Sequence, residues 1–299
     1  MKSLLKVKNK PLLIGEVSCN HNGNIKNAKK IIDVAKKNGV DLIKFQTYDA
    51  SSLTIKSSKK DFLIKKGLWK GRKLWDLYNL AKTPFSWQKD LFDYSKRKGI
   101  RCFSTPFDVK AVDLLEKLNC PLYKLASFEI NHFPLIKRIS ETKKPLIIST
   151  GMSQIKDIDL AVNFAKKNGS KEIIILYCVS NYPSKIEDFN FKNIDIIKKR
   201  YSCKVGFSDH SIDNRVASAA ILAGADYIEK HIALNNQKIG FDIKFSLKGS
   251  EIKNFREDID VAWKLRGRNY FYRNKSENIN KIFKRSIYVV KKIKKGDKF

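Results

Sequence analysis

The chain has 299 residues, 42% of them hydrophobic, and a formal net charge of +31. That length suits one large α/β barrel of roughly 250 residues, and no apolar run approaches the ~20 residues a membrane span needs. The charge invites a nucleic-acid reading, but 50 of the 61 basic residues are lysines spread along the chain, whereas phosphate and base recognition favours arginine; we expect no nucleic-acid partner. The basic start, MKSLLKVKNKPLLIGEV, is broken by lysines and Glu16, which argues against a signal peptide. Five scattered cysteines without CxxC spacing fit a reducing compartment, the cytoplasm.

Short apolar strands alternate with helical patterns. The first strand is expected over 12–18 (LLIGEVS), with Ile14, Glu16 and Ser18 on one face. In NAKKIIDVAKKNG, Ala28, Ile31, Ile32 and Ala35 form a helical stripe and Gly39 is a stop signal. The second strand, 42–48 (LIKFQTY), turns Lys44 and Gln46 away from Phe45. Residues 49–85 exceed what one connecting helix needs and carry Trp69, Trp75 and Tyr78. They read as an insertion in a βα loop forming part of a substrate wall, followed by a helix over 86–99. The third strand, 101–107 (RCFSTPF), contains Ser104. The fourth, 122–127 (LYKLAS), puts Lys124 and Ala126 on one face, with Ser127 and Glu129 at its end. The fifth, 145–150, carries Ser149, and the helix IDLAVNFAKKNG leads to the sixth, 172–179. The seventh, 204–209, ends in Ser208, Asp209 and His210. The eighth, 227–234, alternates Tyr227, Glu229 and His231 against Ile228, Lys230 and Ile232. Residues 1–270 thus form one domain, 271–284 a polar linker, and SIYVV a strand opening a second small domain at 285–299.

Eight strands with intervening helices predict parallel pairing in a closed (β/α)8 TIM barrel. An open doubly wound sheet is the alternative, without the GxGxxG that usually follows its first strand. Ionisable groups recur at the C-terminal ends of these strands, where burial is costly unless they are paired or used. His210 and His231 end neighbouring strands, and two imidazoles with substrate or water oxygens suit Mn2+, Zn2+ or Fe2+; a hydrogen-bonded pair without metal is the alternative. Lys44 and Lys124 with Ser104, Ser127 and Ser149 suit a small phosphate or carboxylate, and a Schiff-base lysine is the alternative. His21 is placed to touch substrate or cap a helix, and His132 reads as a loop residue.

Taken together, IGEVSCNHNG, IKFQTY, FSTPFD, YKLASFEI, ISTGMS, SNYPS, GFSDHS and IEKHIAL resemble the sialic acid synthase family, in order across 12–299. GLWKGRKLWDLYNLAKTPFSW, CFSTPFD and DIKFSL are most similar to its pseudaminic acid branch. The resemblance implies a TIM barrel followed by an antifreeze-like (SAF) domain, of which only the beginning is present here, with Arg285 and Gly296 in matching places. It implies condensation of phosphoenolpyruvate with the open-chain aldehyde of an N-acetylated amino hexose, here a 2,4-diacetamido-2,4,6-trideoxy sugar, to a nine-carbon 2-keto acid and phosphate. It further implies that His210 and His231 hold a divalent metal, usually Mn2+, and that Lys44, Ser104, Lys124, Ser127 and Ser149 hold phosphoenolpyruvate. Glu16 and Glu229 would be the catalytic carboxylates, Glu129, Asn181 and Tyr182 would contact the sugar, and the protein would be a homodimer. The alternatives are an N-acetylneuraminate or legionaminic acid synthase, a related barrel acting on a sugar phosphate, and an inactive metal- and phosphoenolpyruvate-binding barrel without its capping domain.

Overall fold

The computed structural model describes residues 5, 7 and 9–298. In chain order the elements are β1 (Leu12–Glu16), α1 (Ile25–Lys37), β2 (Leu42–Thr47), α2 (Ala50–Leu53), α3 (Leu74–Ala81), α4 (Phe85–Arg97), β3 (Arg101–Pro106), α5 (Val109–Lys117), β4 (Tyr123–Leu125) and α6 (Phe133–Glu141). They continue with β5 (Leu146–Ser149), α7 (Ile155–Lys167), β6 (Ile173–Cys178), α8 (Lys192–Tyr201), β7 (Lys204–Asp209), α9 (Arg215–Leu222), β8 (Tyr227–Ala233), β9 (Leu247–Lys248) and α10 (Glu251–Arg266). Each of β1 to β8 pairs in parallel with the next, and β8 returns to β1, with Leu12 opposite Tyr227 and Glu16 opposite His231. The sheet is therefore closed, a (β/α)8 barrel.

The helices form for the reasons their sequences give. Helix α1 buries Ala28, Ile31, Ile32 and Ala35, one stripe at helical spacing. The Asn24 side chain caps its first turn by accepting from the Lys26 amide, and Gly39 takes the left-handed φ of +85° that ends it. Asp108 caps α5 through the Ala111 amide, and His132 caps α6 through the Leu135 amide. The helices bury these stripes on strands that are themselves apolar on both faces: β5 and β6 have no exposed residue, as parallel strands covered by helices require.

The long β2–β3 connection is folded. It contains α2, a 3₁₀ turn at Lys60–Phe62, an antiparallel bridge between Leu63 and Lys73, and α3 with Leu77 buried. Up to Arg266 the chain forms one compact unit, and a second begins at Gly267. The second unit contains a 3₁₀ helix at Lys275–Phe283. The strand expected at SIYVV is not formed: residues 286–290 pair with no strand among the described residues, and Ile287 and Val290 are exposed. A strand exists only by bonding to a neighbour, which local β propensity cannot supply. Among the described residues no helix is long and apolar enough to cross a membrane.

Candidate active site

At the C-terminal end of the barrel strands a cavity is lined by Glu16, Lys44, Gln46, Thr105, Lys124, Ser127, Ser149, Cys178, Tyr182, Ser208, His210, Glu229 and His231, with Phe107, Ala126 and Phe128 at its sides. Strand alternation builds it. In β8, Glu229 and His231 point inward. Lys230 points outward, where its Nζ meets Asp209 Oδ2 at 2.9 Å in a buried pair. Asp209 is its register partner on β7. The three ionisable groups in the middle of this strand thus serve two purposes, two facing the cavity and one closing an ion pair between β7 and β8.

Register also sets the inner charges side by side. Glu16 lies opposite Lys44 on one side and His231 on the other. Lys44 forms a buried ion pair with Glu16 and stands 3.7 Å from Glu229, which in turn stands 3.8 Å from Lys124. Lys44 also donates to Thr105 Oγ1 at 3.1 Å, and Ser208 donates to Glu229 at 3.1 Å. Burial disfavours the Glu229 charge, but Lys124 and Lys44 outweigh it and hold the carboxyl well below the usual range. Burial likewise opposes the Lys44 charge, yet Glu16 and Glu229 keep that ammonium above its ordinary value. Burial prevails at Lys124 and lowers it, with Glu229 only partly offsetting the effect. The Ser149 hydroxyl and Glu229 Oε2 are buried without hydrogen-bond partners, polar atoms that a bound ligand would satisfy.

The His210 and His231 rings lie with centroids 5.5 Å apart. His210 Nδ1 is 3.1 Å from the Val179 carbonyl oxygen. A carbonyl only accepts, so Nδ1 is the donor in this contact. His231 Nδ1 faces Asp242 Oδ2 at 3.4 Å. Imidazoles that ligate metals are commonly oriented by a carbonyl or carboxylate on the other nitrogen, so this pair fits a divalent cation. No cluster of three or more His, Cys, Asp or Glu groups with metal-holding geometry occurs among the described residues. Two imidazoles would then leave positions for substrate and water oxygens.

Three expected site residues lie elsewhere. Ser104 is buried on the outer face of β3, bonded to the Thr47 hydroxyl and the Phe45 carbonyl. Its neighbour Thr105 takes the inward place because Gln46, which faces the cavity, is its register partner. Asn181 is exposed, and its amide donates to Asp188 in a turn. Glu129 is buried beside the cavity without lining it; burial pushes its carboxyl up to about 7 against the opposing Lys124, and its Oε2 has no partner. Thr105, Gln46, Cys178, Ser208 and Asp242 complete the site. Asp242 also accepts from Ser18 at 2.6 Å, and its loop position gave no periodicity to read. His21 is structural: fully buried, it pairs with Thr83 at 3.1 Å, accepts from the Gly23 amide, and burial lowers it to about 4. No residue of the insertion itself lines the cavity, but its Trp69 indole donates to the Phe241 carbonyl at 3.1 Å and its ring lies 5.5 Å from the lining residue Tyr182.

The NeuB family profile matches residues 31–270. The chain is similar to a pseudaminic acid synthase of Campylobacter jejuni, 39% identical over 290 residues, covering 97% of this chain and 84% of that one. It is also similar to an N,N'-diacetyllegionaminic acid synthase of the same species, 35% identical over 295 residues, covering 97% and 88%. Among solved structures, the N-acetylneuraminic acid synthetase of Leptospira borgpetersenii, in complex with citrate, superposes with a TM-score of 0.82 at 27% identity over 92% of this chain and 91% of that one.

Proposed function

This chain belongs to the NeuB family, and from that premise we propose that it condenses phosphoenolpyruvate with the open-chain aldehyde of a 2,4-diacetamido-2,4,6-trideoxy hexose, as a pseudaminic acid synthase. The products are a nine-carbon 2-keto acid and phosphate. The observation that carries the reading is the convergence of Lys44, Lys124, Thr105, Ser127 and Ser149 with His210 and His231 around one cavity. The two ammonium groups and the hydroxyls match the carboxylate and phosphate of phosphoenolpyruvate. Ser149, with no protein partner, is free to donate to it.

Carbon 3 of the enol phosphate forms the new bond to the aldehyde carbon, whose oxygen takes a proton. Water then adds at carbon 2, and phosphate leaves with its bridging oxygen. Glu16, fixed by Lys44 and by the Gln46 amide at 3.0 Å, is the carboxylate set to move protons during these steps. Glu229 keeps both lysines charged beside a polyanionic substrate. A divalent cation on His210 and His231, in our reading Mn2+, would supply Lewis-acid polarisation of the aldehyde oxygen. Tyr182 lines the sugar side of the cavity, and Glu129 supports that side from behind. We further infer a cytoplasmic homodimer, with 285–299 belonging to an antifreeze-like (SAF) domain.

The identity to a legionaminic acid synthase makes the epimeric sugar the second reading. Phosphate release measured with phosphoenolpyruvate, Mn2+ and each diacetamido epimer, free and phosphorylated, separates the readings. The free pseudaminic precursor is expected to give the highest kcat/KM. Preference for the legionaminic precursor selects the second reading, and preference for a sugar phosphate defeats both.

A further inference from the structure

We propose that Trp69 determines sugar specificity, its ring extending Tyr182 outward as an apolar shelf that favours a hexose ending in a methyl group over one ending in a hydroxymethyl group. The inference rests on the function proposed above and adds to it the residue that reads carbon 6.

The cavity is divided. Its floor is ionic, with Glu16, Lys44, Lys124 and Glu229, whereas Phe107, Phe128 and Tyr182 stand on its walls. Phe128 is 58% exposed, which leaves its ring accessible beside the cavity. Aromatic contacts run outward from the histidine pair: Tyr182 lies 4.5 Å from His210 and 5.6 Å from Phe245, and Trp69 lies 5.5 Å beyond on Tyr182, tilted by 41°. The sole indole donor of Trp69 is taken by the Phe241 carbonyl. What the ring can offer a ligand is therefore an apolar face.

Substrate chemistry fixes which end meets this face. The aldehyde carbon must reach the phosphorylated acid and the histidines at the floor, so the far end of the sugar, carbon 6, points to the mouth. A methyl there packs on aromatic carbon. A hydroxymethyl group would give up water without a partner. One such group is typically worth about 10-fold or more in kcat/KM.

The test compares kcat/KM for a 2,4-diacetamido-2,4,6-trideoxy hexose and its 6-hydroxy counterpart in the wild type, Trp69→Phe and Trp69→Ala, with Mn2+ present. The wild type is expected to prefer the methyl sugar by about 10-fold or more. Trp69→Phe, which loses the indole donor but keeps a ring, should retain most of that preference. Trp69→Ala should bring the ratio to within about threefold, with the KM for phosphoenolpyruvate unmoved. An active wild type whose sugar ratio survives in Trp69→Ala, including the case where both sugars slow equally, overturns this assignment and leaves the proposed reaction standing. Phosphate release with neither sugar in the folded wild type overturns the reaction and the assignment together.

Discussion

Replacing Glu229 by glutamine keeps the shape of the side chain and deletes one charge from the centre of the cavity. Its carboxylate sits 3.7 Å from Lys44 and 3.8 Å from Lys124. At an effective dielectric of about 20, each attraction is about 4 kcal/mol. The desolvation of all three ions opposes this, and removing one member of such a buried group costs about 3–5 kcal/mol net. Lys44 keeps Glu16, but Lys124 is left with the Leu125 carbonyl as its acceptor, at 3.3 Å. Its ammonium, already lowered by burial, should fall further. In a domain of this size each kcal/mol moves Tm by about 2–4 °C, so Glu229→Gln should lower Tm by about 10 °C. Calorimetry with and without phosphoenolpyruvate is the assay. The bound polyanion replaces the lost negative charge, so it should raise the variant's Tm more than the wild type's. An unchanged Tm, or equal stabilisation of both proteins by phosphoenolpyruvate, would refute the reasoning.

Three further outcomes follow from named contacts. His210→Ala and His231→Ala should each abolish tight Mn2+ binding in a titration while circular dichroism stays native; unchanged affinity in both would end the ligand assignment. Thr105→Val should raise the KM for phosphoenolpyruvate about tenfold by removing the hydroxyl that Lys44 holds, whereas Ser104→Ala should cost about 1 kcal/mol of stability and leave that KM alone. His21 is neutral when folded, lowered by burial to about 4 from the ordinary 6.5. The unfolded chain therefore binds the proton first, and stability is full above pH 6.5 and lost as pH falls toward 4, by about 3 kcal/mol in total. Urea unfolding at pH 7 and pH 5 should show about 2 kcal/mol of this loss, and His21→Gln should flatten it.

The barrel was legible because its evidence is local. The stripe of Ala28, Ile31, Ile32 and Ala35 is buried as its spacing requires, and Glu229 and His231 face inward because side chains alternate along a strand. What needed neighbouring strands was not legible. RCFSTPF offers two adjacent hydroxyls, and only the pairing of Gln46 with Thr105 decides which one faces in. The role of Lys230 depends on Asp209 being its register partner. Asp242 and Asn181 lie in loops, where no period ranks residues; one supports His231 and the other fastens a turn. The SIYVV segment has strand propensity, but its backbone meets no partner among the described residues.

The most direct test is the joint appearance of phosphate and a nine-carbon 2-keto acid when the protein is mixed with phosphoenolpyruvate, Mn2+ and a 2,4-diacetamido-2,4,6-trideoxy hexose. The account predicts the two products in equal amounts, with both lost in Lys124→Met. Phosphate without the keto acid, or neither product from a folded sample, would contradict it.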